Sequence, residues 1–117
     1  MSPAETCPFC RIARREAPAR IVHEDPLCVA FEDLRPQAPV HVLVIPRKHV
    51  ETTNDLLPED EPLVGHLVAV ATAIARERGV AESGYRTVLN CNRAAGQAVW
   101  HLHLHLLAGR SFGWPPG

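Results

Sequence analysis

No apolar run in this chain approaches the ~18–20 residues that a membrane-spanning helix needs, so a transmembrane segment and a membrane partner are not expected. There is no surplus of basic charge either. Twelve Lys and Arg face thirteen Asp and Glu, for a formal net charge of −1. That balance argues against nucleic acid or an anionic membrane surface as the main partner. The opening MSPAETCPFC lacks the charged and apolar regions of a signal peptide, which leads to the expectation of a cytoplasmic protein. No internal repeat and no low-complexity tract is present. With 117 residues, the expectation is one domain over 1–117 with a single core. In a reducing compartment the four cysteines, Cys7, Cys10, Cys28 and Cys91, read as thiols or metal ligands and not as a disulfide framework.

What is present reads as alternating short strands and two helical segments. Residues 7–16 suggest a short helix, with Phe9 and Ile12 on one face. Residues 20–24 and 27–32 suggest two strands around Asp25-Pro26. VHVLVIP, 40–46, is apolar on both faces, as a central strand is, and Pro46 ends it. A helical turn is expected within 51–57. A long helix is expected from Glu59 to Gly79, because Leu63, Leu67, Val70 and Ile74, flanked by Val64, Val68, Ala71 and Ala75, form a wide apolar stripe. Residues 85–91 and 99–107 complete the strands. The order implies an α+β fold: an antiparallel sheet of about five strands with one long and one or two short helices packed on it.

The stretch WHLHLHLLAG, 100–109, concentrates the chemistry. In a strand, residues two apart share a face. His101, His103 and His105 then point one way, and Leu102, Leu104 and Leu106 face a core. Three readings fit the imidazoles: the polar face of a half-buried strand, a metal site, or catalysis. A neutral imidazole is a good nucleophile toward phosphorus near neutral pH. The small residues of AAGQA, just upstream, let backbone N–H groups approach an anion closely, which favours a phosphate pocket.

His-x-His-x-His followed by apolar residues, together with FEDLRPQAPVHVLVIPRKH (31–49), GYRTVLN (84–90), AGQAVWHLHLHLLAGR (95–110) and the terminal WPPG (114–117), resembles the histidine triad (HIT) superfamily. The likeness is greatest to its Hint branch of nucleoside phosphoramidate hydrolases, and it covers nearly the whole chain. The resemblance implies two-step covalent hydrolysis of a purine nucleoside 5′-phosphate (AMP or GMP) derivative. His103 would attack the phosphorus and His105 would contact the phosphoryl oxygens. The His101 carbonyl would hold the His103 tautomer, and His41 would support His105, although His41 also reads as an ordinary strand histidine. Asp33 would accept the ribose hydroxyls. Phe9, Ile12, Phe31 and Leu34 would form the base slot, unless they are plain core. Asn90, Gly96, Gln97 and Ala98 would line the phosphate. Trp114, in a tail spanning 110–117, would reach the partner's site in a homodimer whose two sheets join into one.

One position departs from the family pattern. Gly96-Gln97 is followed by Ala98, where Ser or Thr is usual, so a hydroxyl donor is missing. Losing a well-placed donor of that kind costs ~2–4 kcal/mol of transition-state stabilisation. Trp100 is also bulkier than the usual aromatic there. The resemblance further implies a structural zinc site at Cys7, Cys10, His49 and His101, with no cofactor required for catalysis. Cys28 is assigned to the core, and Cys91, beside Asn90, to the cleft. Two alternatives stay open: a nucleotide-binding scaffold with little turnover, and a dinucleoside polyphosphate hydrolase.

Overall fold

The computed structural model describes residues 3–117. Its first elements are α1 (Pro3–Thr6), α2 (Pro8–Ala13), β1 (Ile21–Glu24), β2 (Cys28–Glu32) and β3 (Val40–Pro46). They are followed by α3 (Glu61–Glu77), β4 (Tyr85–Leu89) and β5 (Leu104–Ala108). Single 3₁₀ turns occupy Thr53–Asp55, Pro58–Asp60 and Arg93–Ala95. The five strands form one sheet in the order β1-β2-β3-β5-β4, every neighbouring pair antiparallel.

The sheet separates two cores. On one face Leu67, Val70, Ala71, Ile74 and Ala75 of α3 pack against Ala30, Val42, Val44, Leu102, Leu104 and Leu106. On the other, Phe9, Cys10 and Ala13 of α2 pack against Val29, Phe31, Leu43 and Ile45. β3 is apolar on both faces because it is buried between these layers. The apolar stripe of α3 is narrower than its sequence pattern, since Val68 remains 44% exposed.

Three boundaries move from their expected places. The long helix starts at Glu61, since Pro58–Asp60 wind as a 3₁₀ turn before it. It ends at Glu77, and Gly79 (φ +72°) turns the chain away in the left-handed region that glycine tolerates. The last strand starts at Leu104, not residue 99, because β3 closes on Pro46, which has no N–H for a ladder. Residues 99–103 are still directed. The Leu102 N–H donates to the Val50 carbonyl at 2.7 Å, and the Pro46 carbonyl is taken by the His101 ring at 2.8 Å. The alternation therefore survives without the ladder: Leu102, Leu104 and Leu106 enter the α3 core, and the histidines face the other layer.

Candidate active site

A cleft of about 500 Å³ opens on the α2 face of the sheet. Phe9, Ile12, Phe31, Leu34 and Leu43 give it apolar walls, and Asp33, Asn90, Gly96, Ala98, His103 and His105 supply its polar end. Register explains the convergence. Phe31 pairs with Leu43, and Leu43 pairs with His105, so their side chains share one face across three strands. Phe9 stands edge-on to both Phe31 and His103, with ring centroids 5.4 and 5.2 Å apart. Leu34 is 91% exposed and forms an outer lip.

The hydrogen bonds give His103 and His105 different tautomers. A carbonyl only accepts, so the 2.6 Å contact between His103 Nδ1 and the His101 carbonyl places the proton on Nδ1. The Nε2 of His103 then carries a free lone pair. For His105 the chain starts at a backbone N–H. Gln37 N donates to His41 Nδ1 at 3.0 Å, so His41 carries its proton on Nε2. That Nε2 donates to His105 Nδ1 at 2.9 Å, which leaves His105 with an Nε2–H. Two neighbouring rings, centroids 4.9 Å apart, thus offer one nucleophilic nitrogen and one hydrogen-bond donor.

Burial keeps these rings neutral. It pushes His105 down to about 4, with His103 and His41 adding to the effect. Burial lowers His103 too, against the opposing pull of the His101 carbonyl and Asp33, and it lowers His41 against Asp33. Asp33 lies at the rim, its Oδ1 accepting from Arg35 N at 2.7 Å and its Oδ2 3.4 Å from His41 Nε2.

The loop before the triad holds one surprise. Gln97 is buried, and its side chain is fully engaged: Oε1 accepts from Asn92 N, and Nε2 donates to the carbonyls of Glu51 and Val99. Its own N–H goes to Asn92 O. Gln97 is therefore a clamp that fixes the loop, and its side chain is not among those lining the cleft. Gly96 (φ +93°) makes the turn that brings Ala98 to the cleft. Cys91 also leaves its expected place. Its thiol turns toward residues 52–54, where the Thr53 hydroxyl and neighbouring N–H groups hold it below its usual pKa. Cys28 is core, as expected. Trp114 is 85% exposed and outside this chain's cleft.

Beside the cleft, Cys7, Cys10, His49 and His101 each offer one ligand atom, and these atoms lie within 4.8 Å of one another. The Pro46 carbonyl takes the Nε2–H of His101, so its Nδ1 lone pair faces Cys7 Sγ at 3.3 Å and Cys10 Sγ at 3.4 Å. His49 Nδ1 is 3.2 Å from Cys10 Sγ, while its buried Nε2 has no partner among the described residues. A tetrahedral zinc with bonds of ~2.0–2.3 Å sets its ligand atoms roughly 3.3–3.8 Å apart, so the donor set fits that ion.

An apolar cleft with two oriented imidazoles at its polar end, built on an open antiparallel sheet, defines the class. The HIT domain model matches residues 14–112. A purine nucleoside phosphoramidase of Escherichia coli (strain K12) is 48% identical over 110 residues, covering 94% of this chain and 92% of that protein. The structure of a HIT family hydrolase from Legionella pneumophila superposes with a TM-score of 0.94 at 49% identity, covering 96% of this chain and 100% of that one. A zinc-bound histidine triad family protein from Mycobacterium smegmatis gives a TM-score of 0.81 at 34% identity, covering 97% of this chain and 81% of that one. The chain belongs to the HIT family.

Proposed function

We propose that this protein hydrolyses purine nucleoside 5′-phosphoramidates through a nucleotidyl intermediate on His103. The observation that carries this reading is the tautomer of His103: Nδ1–H is fixed by a backbone carbonyl, and the Nε2 lone pair is free beside a nucleotide-sized cleft. The lone pair attacks the α-phosphorus, and the P–N bond breaks as the amine departs with the electron pair and a proton from solvent. The ring becomes cationic, and the His101 carbonyl stabilises that charge through Nδ1–H. Meanwhile His105 Nε2–H donates to a phosphoryl oxygen where negative charge develops. Water then attacks the same phosphorus, the N–P bond breaks, and the nucleoside monophosphate leaves with His103 neutral again. Asp33 binds the ribose, Phe9, Ile12, Phe31 and Leu34 hold the base, and Asn90, Gly96 and Ala98 border the phosphate. Similarity to the phosphoramidase of E. coli supports the substrate class.

Cys7, Cys10, His49 and His101 would hold a structural zinc, and the zinc-bound relative supports that reading. Such an ion would supply a structural cross-link and no catalytic chemistry, and its ligand His101 would hold the segment whose carbonyl faces His103 Nδ1. A homodimer, with Trp114 of each copy at the other's cleft, fits the unpaired outer edge of β4 and the exposed Val68. Sedimentation tests it, with a dimer mass expected.

Incubation with adenosine 5′-phosphoramidate tests the activity. Multiple turnovers to AMP are expected, with none from His103→Ala. Tight AMP binding without turnover would favour the scaffold reading. Faster cleavage of a dinucleoside polyphosphate would move the substrate class.

A further inference from the structure

A second cluster of histidines lies on the opposite face of the sheet and plays no part in the chemistry above. Asp25 sits in the β1–β2 turn. Its Oδ1 accepts from the N–H groups of Leu27 and Cys28, at 2.8 and 2.9 Å, and this locks the carboxylate. Its Oδ2 is thereby aimed at three side chains. His23 Nε2 and His66 Nε2 each approach that oxygen to 2.7 Å, and Cys28 Sγ lies 3.4 Å from it. The ligand atoms of His23, Asp25 and Cys28 all lie within 4.8 Å of one another; His66 touches Asp25 Oδ2 but stands outside that mutual distance, so its ring has to swing toward the other two to act as a fourth ligand.

The backbone is shaped to make this cluster. β1 pairs Ile21 with Phe31 but His23 with Ala30, so Val22 is an extra residue in a β-bulge. Ile21 and Phe31 belong to the cleft face, whereas Ala30 belongs to the α3 core. The bulge therefore turns His23 to the α3 face, where regular alternation would have put it on the cleft face. Bulges are a recurrent means of re-aiming a side chain beside a site. His66 reaches in from α3, at the margin of its buried stripe. The side chains of His23 and His66 keep 37% and 32% of their exposure, so solvent reaches the imidazoles, while Cys28 is fully buried beneath them. Arg47, a positive side chain beside this turn, is occupied: its Nε donates to the Asp25 carbonyl, and its Nη2 lies 3.8 Å from Glu24.

We propose that His23, Asp25 and Cys28, with His66 closing the set, form a second site for a zinc-class transition-metal ion, which pins the β1–β2 hairpin to α3. Two imidazoles, a carboxylate and a thiol are a donor set suited to zinc and its neighbours, and unlike that of a calcium or magnesium site. In a four-coordinate site with bonds of ~2.0–2.3 Å, ligand atoms lie roughly 3.3–3.8 Å apart. Cys28 Sγ and Asp25 Oδ2 already have that separation. The imidazoles must retreat by about 0.6 Å from their hydrogen-bonded positions, and being partly exposed they have room to do so. Binding exchanges the Cys28 S–H for a metal–sulfur bond and releases that proton to solvent; each imidazole, whose Nε2–H donates to Asp25 Oδ2 in the metal-free site, gives up that proton and is protonated on Nδ1 instead, so that its Nε2 lone pair is free to ligate.

Zinc chloride titrated into chelator-treated full-length protein tests this, with the imidazole nitrogens followed by two-dimensional NMR and bound zinc counted. His49 and His101 report on the cysteine-pair site independently, so failure of one site is distinguishable from failure of the other. The expected result is saturable movement of the His23 and His66 Nε2 resonances with uptake of one zinc beyond that bound near Cys10. His23→Gln and His66→Gln should each lose that ion while keeping the amide spectrum and AMP release of the parent. The proposal is overturned if the His23 and His66 resonances stay still at saturating zinc, the cluster then being a hydrogen-bonded turn only. It is equally overturned if both variants bind as much zinc as the parent.

Discussion

Two sets of imidazoles face away from each other across one sheet, and their surroundings differ in kind. His41, His103 and His105 are held by backbone groups and by each other, in a mostly apolar layer with one carboxylate at its rim. His23 and His66 are held by a single carboxylate in a turn open to solvent. The first arrangement fixes tautomers and keeps the rings uncharged, which suits a nucleophile and a neutral donor. The second gathers two imidazole N–H groups and a thiol around one carboxylate oxygen, where a cation can take the place of the protons. The residue type is the same; the partner of each ring decides what it does.

The largest effect should come from replacing the ring with the free lone pair. His103→Ala is expected to lower phosphoramidate turnover by about 10⁴-fold or more, as removal of a covalent nucleophile does. His23→Gln, on the other face, should leave turnover unchanged, and a comparable loss there would erase the contrast. Next comes the donor ring. His105→Ala removes the Nε2–H set by the Gln37–His41 relay, and a loss of roughly 10²–10³ in kcat is expected with KM little altered. Single-turnover kinetics would show whether the loss lies in the chemical step.

The pH dependence sharpens the same comparison. His105 is held down to about 4 by burial, and His41 is lowered as well. Both therefore stay neutral where an ordinary imidazole, near 6.5, gains its proton. Activity should stay level as the pH falls through 6.5, with the acid limb displaced toward 4. Stability carries the matching sign. Between the unfolded value near 6.5 and the folded value, the unfolded chain binds more protons, so this contribution is complete above 6.5 and is lost as the pH falls toward 4. Urea midpoints at pH 7.5 and 5 should differ more in the parent than in His105→Gln. An equal shift in both would place the effect elsewhere. The smallest expected change is a gain. Ala98→Ser returns a hydroxyl to the cleft wall and should raise kcat by up to ~10-fold, short of the 10²–10³ carried by a fully preorganised donor.

Much of this was readable from residue order. The apolar stripe around Leu67, Val70 and Ile74 announced α3, and the alternation from His101 to Leu106 sorted rings from core before any strand was known. The strand boundary was misplaced because a ladder needs a partner with an N–H, and Pro46 ends the partner. The clamp at Gln97 has no signal in residue order: its neighbours in the loop resemble a phosphate turn, while its three side-chain hydrogen bonds reach Glu51, Asn92 and Val99. The second cluster went unread altogether. His23 and His66 are joined only through a bulge at Val22 and a helix 41 residues downstream of Asp25. Asp25 two residues after His23, in a turn, was its one local signal.

The central claim is that His103 Nε2 forms the bond to phosphorus. Rapid acid-free quench of the protein with adenosine 5′-phosphoramidate, followed by peptide mass spectrometry, tests it directly. The account predicts a transient adenylyl group on the peptide at His103, forming before AMP accumulates and absent in His103→Ala. AMP released at the parent rate by His103→Ala, or an adenylyl group on another residue, would contradict it.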